Sequence, residues 1–409
     1  MNIYKKIGFK PADILLPENI DMTKWSVVAC DQYTSQPEYW ESVKNFVDEN
    51  PSTLNMVFPE LYLSNDNSQR IEKINNAMTA CIESGILKEY KNAFIYCVRE
   101  LGEGKIRKGI IGAVDLECYD YTPTSDKLIR ATEGTVIERI PPRVQIRKDA
   151  PLELPHIMLL IDDAKQNIIE NINTENLTML YDFDLMENSG HIKGFLIDNN
   201  EIICEKLEKL LDNQGEKPLL FAVGDGNHSL ATAKTCWENL KDSLSEEEKE
   251  NHPARYALVE IVNIHDSSMI FEPIHRIVFN AGNIIEEFLK AEPSSFIGEG
   301  KGQQIKVVYN GKIETITIEN PSHTLEVGTL QKFLDKYVKE NNATVDYIHG
   351  DDVVVSLAKK EDTVGFILPG MDKSDLFTAI KNDGVLPRKT FSIGEAFEKR
   401  FYLECRKIK

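Results

Sequence analysis

The residues of this chain best suited to chemistry stand together in one short polar run, GDGNHS, at positions 224–229. Its two glycines permit positive φ angles and let a ligand approach the backbone closely. If a helix begins directly after them, the amides of residues 227–229 lie at its N-terminus, where they favour a phosphate or a carboxylate. Asp225 could then hold a metal ion or a substrate hydroxyl, and His228 could donate to a phosphoryl oxygen or transfer a proton.

The elements that must position this run are a strand before it and a helix after it. The preceding apolar segment PLLFAV has strand character, and the following LATAKTCWENL has helical spacing. A structural role is the alternative, in which Asp225 or Asn227 caps the helix and His228 is a polar surface residue. The spacing does not separate the two interpretations. It does exclude a Walker loop and a dinucleotide-binding glycine fingerprint.

The longer segment GDGNHSLATA resembles the Asp-Gly-His-His-Arg-Tyr box of the family called domain of unknown function 1015. Three further segments resemble that family in the same order: IRATEGT, EPIHRIVFN and GVLPRKTFSIGEAF. The box is in turn similar to a loop of the ParB and sulfiredoxin superfamily. The resemblance therefore implies a ParB/sulfiredoxin-like nucleotide-binding core with additional α/β domains.

The resemblance also implies phosphate chemistry. That superfamily includes nucleotide-hydrolysing clamps, sulfiredoxins and an archaeal kinase of free serine, in which an acidic residue upstream of the box is the base for the substrate hydroxyl. Glu133 matches that residue by motif order, although it could also be a surface carboxylate paired with Arg130. Two residues depart from the family pattern, because Ser229 replaces an arginine and Thr132 a histidine. Without that arginine, a phosphate must rely on backbone amides or on cations from elsewhere.

Further candidates lie outside the box. Arginines at 130, 139 and 143 could give an acidic chain a local positive field, or form a solvated face.

The polar residues Asp31 and Gln32 follow the predicted strand WSVVAC and could bind substrate or form a capping turn. His275 and Arg276 are adjacent in EPIHRIV. They therefore point to opposite faces of an extended segment, and one of them could line a site. The predicted site residues are Glu133, Asp225 and His228 for catalysis, Gly224, Gly226, Asn227, Ser229, Arg130 and Arg143 for nucleotide phosphate, and Asp31, Gln32, His275 and Arg276 for substrate.

Composition limits the partners and the compartment. The 409 residues carry a net charge of −19, which disfavours nucleic acid and anionic membranes. No uncharged apolar run reaches about 18 residues, and the first residues lack the apolar core of a signal peptide. The seven cysteines are scattered without a Cys-x-x-Cys pair, and the eight histidines lack metal-binding spacing. We therefore expect a cytoplasmic protein with reduced thiols and no dedicated metal site.

Helices and strands alternate loosely along the chain, which predicts a mixed α/β fold. We expect three domains: an N-terminal α/β domain at 1–127, the core with the polar loop at 128–280, and a C-terminal α/β domain at 281–409. Within the last of these, QIKVVYNGKIETITI predicts a hairpin with a tight turn at Asn310-Gly311, and DVVVSL predicts a strand.

The function predicted from these features is a nucleotide-dependent kinase of a small molecule. Its acceptor would be free serine or a similar hydroxylated amino acid, and its donor ATP or ADP with Mg²⁺. Two alternatives are a nucleotide hydrolase and a non-catalytic regulatory module that binds a nucleotide or metabolite. A DNA-binding role is disfavoured by the acidic charge. Whether identical chains associate is left open.

Overall fold

The computed structural model describes residues 2–64, 66–215 and 217–409. These form two compact units. The first unit contains the described residues up to Met269 together with Gly394–Lys409, and the second contains Ile270–Ile393. Strands from both of the first two predicted domains share one sheet of the first unit, and the predicted boundary at 280/281 lies within the second. The mixed α/β class is confirmed.

A large mixed sheet organises the first unit. Among the described residues it has ten strands, in the order Thr178–Asp184, His191–Leu196, Ile95–Gly102, Lys105–Asp115, Tyr256–Asn263, Met158–Ile161, Phe221–Asp225, Ile129–Ala131 and Tyr119–Asp120, with Phe9–Lys10 paired to Lys105–Asp115. Most neighbours run antiparallel, but Phe221–Asp225 runs parallel to Ile129–Ala131. That parallel pair brings the two predicted catalytic segments to the same end of adjacent strands.

Burial on both faces explains why the strand before the polar run is a continuous apolar segment. Phe221 and Val223 are fully buried. The helix Asn227–Lys241 covers this part of the sheet through Leu230 and Trp237, which belong to the same apolar core. The predicted strand, turn and helix around GDGNHS are therefore confirmed.

Shorter elements complete the first unit. Its other helices are Ile3–Ile7, Met22–Trp25, Pro37–Val47, Ser68–Glu83, Ile140–Arg147, Asn200–Asp212 and Glu246–Asn251. Three small antiparallel pairs join Ala12–Pro17 to Leu87–Ala93, Val27–Val28 to Phe401–Tyr402, and Leu152–Glu153 to Arg406–Lys407. No helix among the described residues has the length and apolar character needed to cross a membrane.

The last residues of the chain are held in the first unit by buried charges. Arg400 contacts the carboxylates of Glu260 and Glu404, and all three side chains are almost completely buried. Arg99 donates to the backbone carbonyls of Phe397 and Lys399. Because a buried charge is tolerated only when it is paired, these contacts fix the path of the C-terminal segment.

The second unit is a six-stranded sheet with helices. Its strand order is Ser295–Ile297, Lys312–Ile318, Gln303–Tyr309, Thr363–Ile367, His275–Phe279 and Thr344–Ile348, with a separate pair of Phe271–Pro273 and Phe391–Ile393. Its helices are Ile284–Ala291, Glu326–Asn341, Asp351–Leu357 and Asp375–Asp383. The predicted hairpin is confirmed, since Tyr309 pairs with Lys312 and the turn residues Asn310 and Gly311 have φ angles of 48° and 73°.

The predicted strand DVVVSL is wrong, because Asp351–Leu357 is a helix. Asp351 and Asp352 lie in its first turn, where the helix dipole favours negative charge. Val354 packs into an apolar cluster that includes Ile277 of the sheet. Tertiary packing and the acidic helix start therefore outweigh the strand preference of three consecutive valines.

Candidate active site

The turn at the centre of the candidate site is built on Gly226. Its φ of 78° is left-handed, and a Cβ there would lie 3.0 Å from the Cα of Ile157. Gly224 is required for a different reason, because a Cβ on it would come within 2.8 Å of the Leu160 side chain. Asp225 Oδ1 accepts from the Gly226 amide at 2.9 Å, and within the described residues the helix that follows has no side-chain N-cap hydrogen bond. Its first amides are thus suited to an anionic ligand.

The segment that carries Glu133 lies beside this turn. Ala131 is in register with Val223, and Thr132 Oγ1 donates to the Val223 carbonyl at 2.7 Å. Farther along, the Val136 amide donates to His228 Nε2 at 3.3 Å, which leaves the proton of a neutral imidazole on Nδ1. The two contacts flank Glu133, so the structure brings its segment and the polar turn together.

A cation reaches the turn from the C-terminal segment. Lys399 Nζ lies 3.4 Å from Asp225 Oδ2, and both side chains are mostly buried. Asp31 also belongs to this neighbourhood, and the Gln32 amide donates to its Oδ1 at 3.1 Å. Burial would raise the pKa of Asp31, but His156, Gln32 and Lys399 together lower it. Asp31 and Asp225 thus share a neighbouring lysine that no sequence motif indicates.

His156 forms a second link to the helix start. The Cys30 amide donates to Tyr402 Oη at 3.1 Å, so the Tyr402 hydroxyl can donate in turn to His156 Nδ1, 2.9 Å away. When Nδ1 accepts this hydrogen bond, the ring proton lies on Nε2. That nitrogen is 3.3 Å from Ser229 Oγ and 3.8 Å from Asp31 Oδ2. A ring donor thus stands next to Ser229, the residue that replaces the family arginine.

A cavity of about 150 Å³ opens beside this histidine. Ser229 and Thr232 line it from the first two turns of the helix, together with His156 and Tyr402. Its other walls are largely apolar and include Met56, Phe58, Leu63, Met78, Ile146 and Leu152. The helix start thus has two flanks, one formed by the Glu133 segment and one by this cavity.

The predicted arginines have different surroundings. Arg130 is buried and donates to the backbone carbonyls of Lys127 and Pro218, and burial lowers the pKa of its guanidinium. Arg143 contacts the carboxylate of Glu60, and both residues line the cavity. Arg143 is therefore next to a space that a ligand could fill.

His275 and Arg276 belong to the second unit. His275 Nε2 is 2.9 Å from Asp351 Oδ1, and its Nδ1 accepts from the Leu368 amide at 3.2 Å. Arg276 is fully buried and donates to the backbone carbonyls of Ile274 and Lys389. Both side chains have partners that hold the second unit together, and their assignment to substrate stays a prediction.

Metal ligands are scarce in the part of the chain that the structure describes, where no group of three or more His, Cys, Asp or Glu residues is placed to hold an ion. A divalent ion at the turn would therefore take most of its ligands from a bound phosphate and from water. Asp225, which directly precedes the N-cap residue Gly226, could contribute one ligand.

A family model described as "Protein of unknown function (DUF1015)" matches residues 11–337. The chain belongs to this family. The matched range includes Glu133 and the whole polar turn, whereas Lys399 and Tyr402 lie beyond it. For this DUF1015 member, the cation and the tyrosine of the candidate site thus come from a segment outside the matched range.

Solved structures give distant likenesses to this DUF1015 chain. A mutant of free serine kinase in complex with AMP is 13% identical with a TM-score of 0.41, and the match covers 76% of this chain and 95% of that one. A conserved hypothetical protein from Pyrococcus furiosus is 13% identical with a TM-score of 0.36, covering 73% and 94%. SbnI with a C-terminal truncation, from Staphylococcus aureus, is 9% identical with a TM-score of 0.38, covering 71% and 85%. No curated protein matches the sequence.

Proposed function

We propose that this protein is a nucleotide-dependent phosphotransferase that phosphorylates the hydroxyl group of free serine or a similar small hydroxylated amino acid. One observation carries the proposal: a helix start without a side-chain cap, a half-buried lysine and the Glu133 segment converge on a single turn. Helix-end amides and a lysine are the groups that bind phosphate, and a carboxylate is the group that accepts a hydroxyl proton.

The phosphates of ATP or ADP would bind to the amides of residues 227–229 and to Lys399. A proton on His228 Nδ1 suits donation to a phosphoryl oxygen. Asp225 would orient the acceptor hydroxyl or contribute a ligand to Mg²⁺, which offsets phosphate charge when bound. These donors replace the bidentate clamp that is lost with serine at position 229.

Glu133 would act as the general base. As the hydroxyl oxygen forms its bond to the transferred phosphorus, the bond from that phosphorus to the leaving nucleotide oxygen breaks. The hydroxyl proton passes to the Glu133 carboxylate, and the nucleotide leaves with one phosphate fewer. Asp31 is less suited to this role, because its lowered pKa makes it a weaker base.

Product analysis of the purified 409-residue chain tests the proposal. With ATP or ADP, Mg²⁺ and L-serine, we expect phosphorus NMR to detect O-phosphoserine, with nucleotide consumption that depends on serine. Consumption without any acceptor would instead identify a nucleotide hydrolase. Saturable nucleotide binding without turnover across hydroxylated amino acids would identify a regulatory module. Either of the last two results contradicts the proposal.

Substitution of Glu133 separates a base from a structural carboxylate. Because general bases contribute about 10²–10⁴-fold to rates, Glu133→Gln should lower kcat by at least about 100-fold while nucleotide affinity stays unchanged. Steady-state kinetics and calorimetric titration with ADP measure the two effects. Glu138→Gln is the matched control, since Glu138 is an exposed carboxylate in the same segment. A Glu133→Gln variant with full activity would remove this residue from the mechanism.

A further inference from the structure

The cavity beside Ser229 has no role in the proposed reaction as described above. It is continuous with the helix start, because Ser229 and Thr232 lie on its wall. Phe58 and Met78 form part of the apolar lining, and Leu63 is half-buried there. A ligand bound at the helix amides could therefore extend an uncharged group into this space.

The charges around the cavity are already compensated. Arg143 contacts Glu60, and Arg147 is paired with Glu153 at 2.6 Å. All four residues line the space, so two positive and two negative groups offset one another. Transfer of a zwitterion such as serine into such surroundings would remove hydration from its ammonium and carboxylate without supplying a charged partner for either. A neutral group enters at much lower cost.

The remaining polar groups are placed for hydrogen bonds at one edge. Ser229 Oγ and His156 Nε2 lie 3.3 Å apart on the wall nearest to the helix start. His156 is almost completely buried, and the Tyr402 hydroxyl fixes which of its nitrogens carries the proton. One edge can therefore exchange hydrogen bonds with a ligand whose faces contact apolar side chains.

We propose that this cavity binds the nucleobase of the donor nucleotide, and that the amino-acid acceptor binds on the opposite flank of the helix start, beside Glu133. A volume of about 150 Å³ is on the order of cavities that hold a benzene ring, so a flat heteroaromatic ring is the class of group that fits. Such a ring has apolar faces for Phe58 and Met78 and polar edges for Ser229 and His156. The phosphates then lie between the two flanks, at the amides and Lys399.

The inference rests on the proposed function for the identity of the two substrates, but its test does not require turnover. The affinity of the 409-residue chain for ADP is compared with its affinity for inorganic pyrophosphate by calorimetry. We expect ADP to bind at least tenfold more tightly, because only ADP can fill the cavity. Equal affinities would overturn the inference even if the enzyme transfers phosphate.

A variant that fills the cavity with a larger side chain provides the second part of this test. Leu63→Trp adds a large side chain to its lining and should reduce ADP affinity at least tenfold without changing pyrophosphate affinity. Leu61→Trp is the matched control, since Leu61 is also half-buried but does not line the cavity. If Leu63→Trp does not fold, Ala150→Leu fills the same space from a buried position. Unchanged ADP affinity in a folded variant, or a raised KM for the acceptor instead, would assign the cavity to another ligand and overturn the inference.

Discussion

At the scale of single residues, the candidate site compensates for a missing arginine with a lysine from elsewhere. Ser229 stands where the family resemblance predicts an arginine, so the loop itself contributes no cation. Lys399 supplies one from the C-terminal segment, at 3.4 Å from Asp225. Since a lysine is a point charge rather than a planar fork, it can follow a phosphate group without fixing its orientation. Orientation then depends on the helix amides.

Removal of that cation should weaken phosphate binding while the fold is retained. Lys399→Met keeps most of the side-chain stem, and we expect at least a tenfold loss of pyrophosphate and ADP affinity, measured by calorimetry at low salt. Lys407→Met is the control, because Lys407 belongs to the same segment and is exposed. Equal affinities for the wild type and Lys399→Met would show that the amides alone bind the phosphate.

At the scale of elements, the turn between strand and helix depends on one backbone conformation. The left-handed φ of Gly226 lets the helix Asn227–Lys241 begin directly after the strand, and its hydrogen atom avoids Ile157. Any other residue there meets both a conformational penalty and a steric one.

Gly226→Ala should therefore lower the free energy of unfolding by about 1–2 kcal/mol, the usual cost of a left-handed conformation for a residue with a Cβ. It should also weaken pyrophosphate binding, because the 3.0 Å contact with Ile157 displaces the first amides. Urea unfolding and calorimetry measure the two effects. Gly370→Ala is the control, since its φ is not left-handed and its Cβ would have no atom within 4 Å. A variant as stable as wild type would contradict this account of the turn.

The same elements explain how much could be predicted from the sequence. The strand, turn and helix around GDGNHS and the hairpin at Asn310-Gly311 were predictable, because local periodicity and turn chemistry determine both. The helix at DVVVSL was not, since its packing partners lie far away in the chain. His156, Lys399 and Tyr402 were missed for the same reason. Each is a single residue in an ordinary segment. The C-terminal segment brings Lys399 and Tyr402 to the turn, and the pairing of Met158 with Asp225 places His156 there.

At the scale of the whole molecule, each unit contains a histidine whose protonation is linked to the stability of the fold. Protonation of the first histidine stabilises the folded state, and protonation of the second destabilises it. In the first unit, the hydrogen bond that His191 Nδ1 donates to the Asp184 carboxylate raises the pKa of His191 above 6.5, with further support from Asp182, against a smaller effect of burial. In the second, burial lowers the pKa of His275 below 6.5, and the opposing attraction of Asp351 is too small to restore it. Arg276 and His349 lower it further.

These shifts predict that acid affects the two units differently. Because its pKa is raised, His191 contributes to the free energy of unfolding. This contribution is complete below pH 6.5 and is lost as the pH rises through the pKa of His191 in the folded protein. Because its pKa is lowered, the contribution of His275 to the free energy of unfolding is complete above pH 6.5 and is lost on acidification. Once Nδ1 is protonated, it can no longer accept the hydrogen bond from the Leu368 amide. When the pH is lowered from about 7.5 to about 5.5, protection from hydrogen exchange should therefore rise in His191–Leu196 and fall in His275–Phe279. His191→Gln and His275→Gln should each abolish the response of their own strand alone, and a response of the same sign in both strands would disprove the assignment.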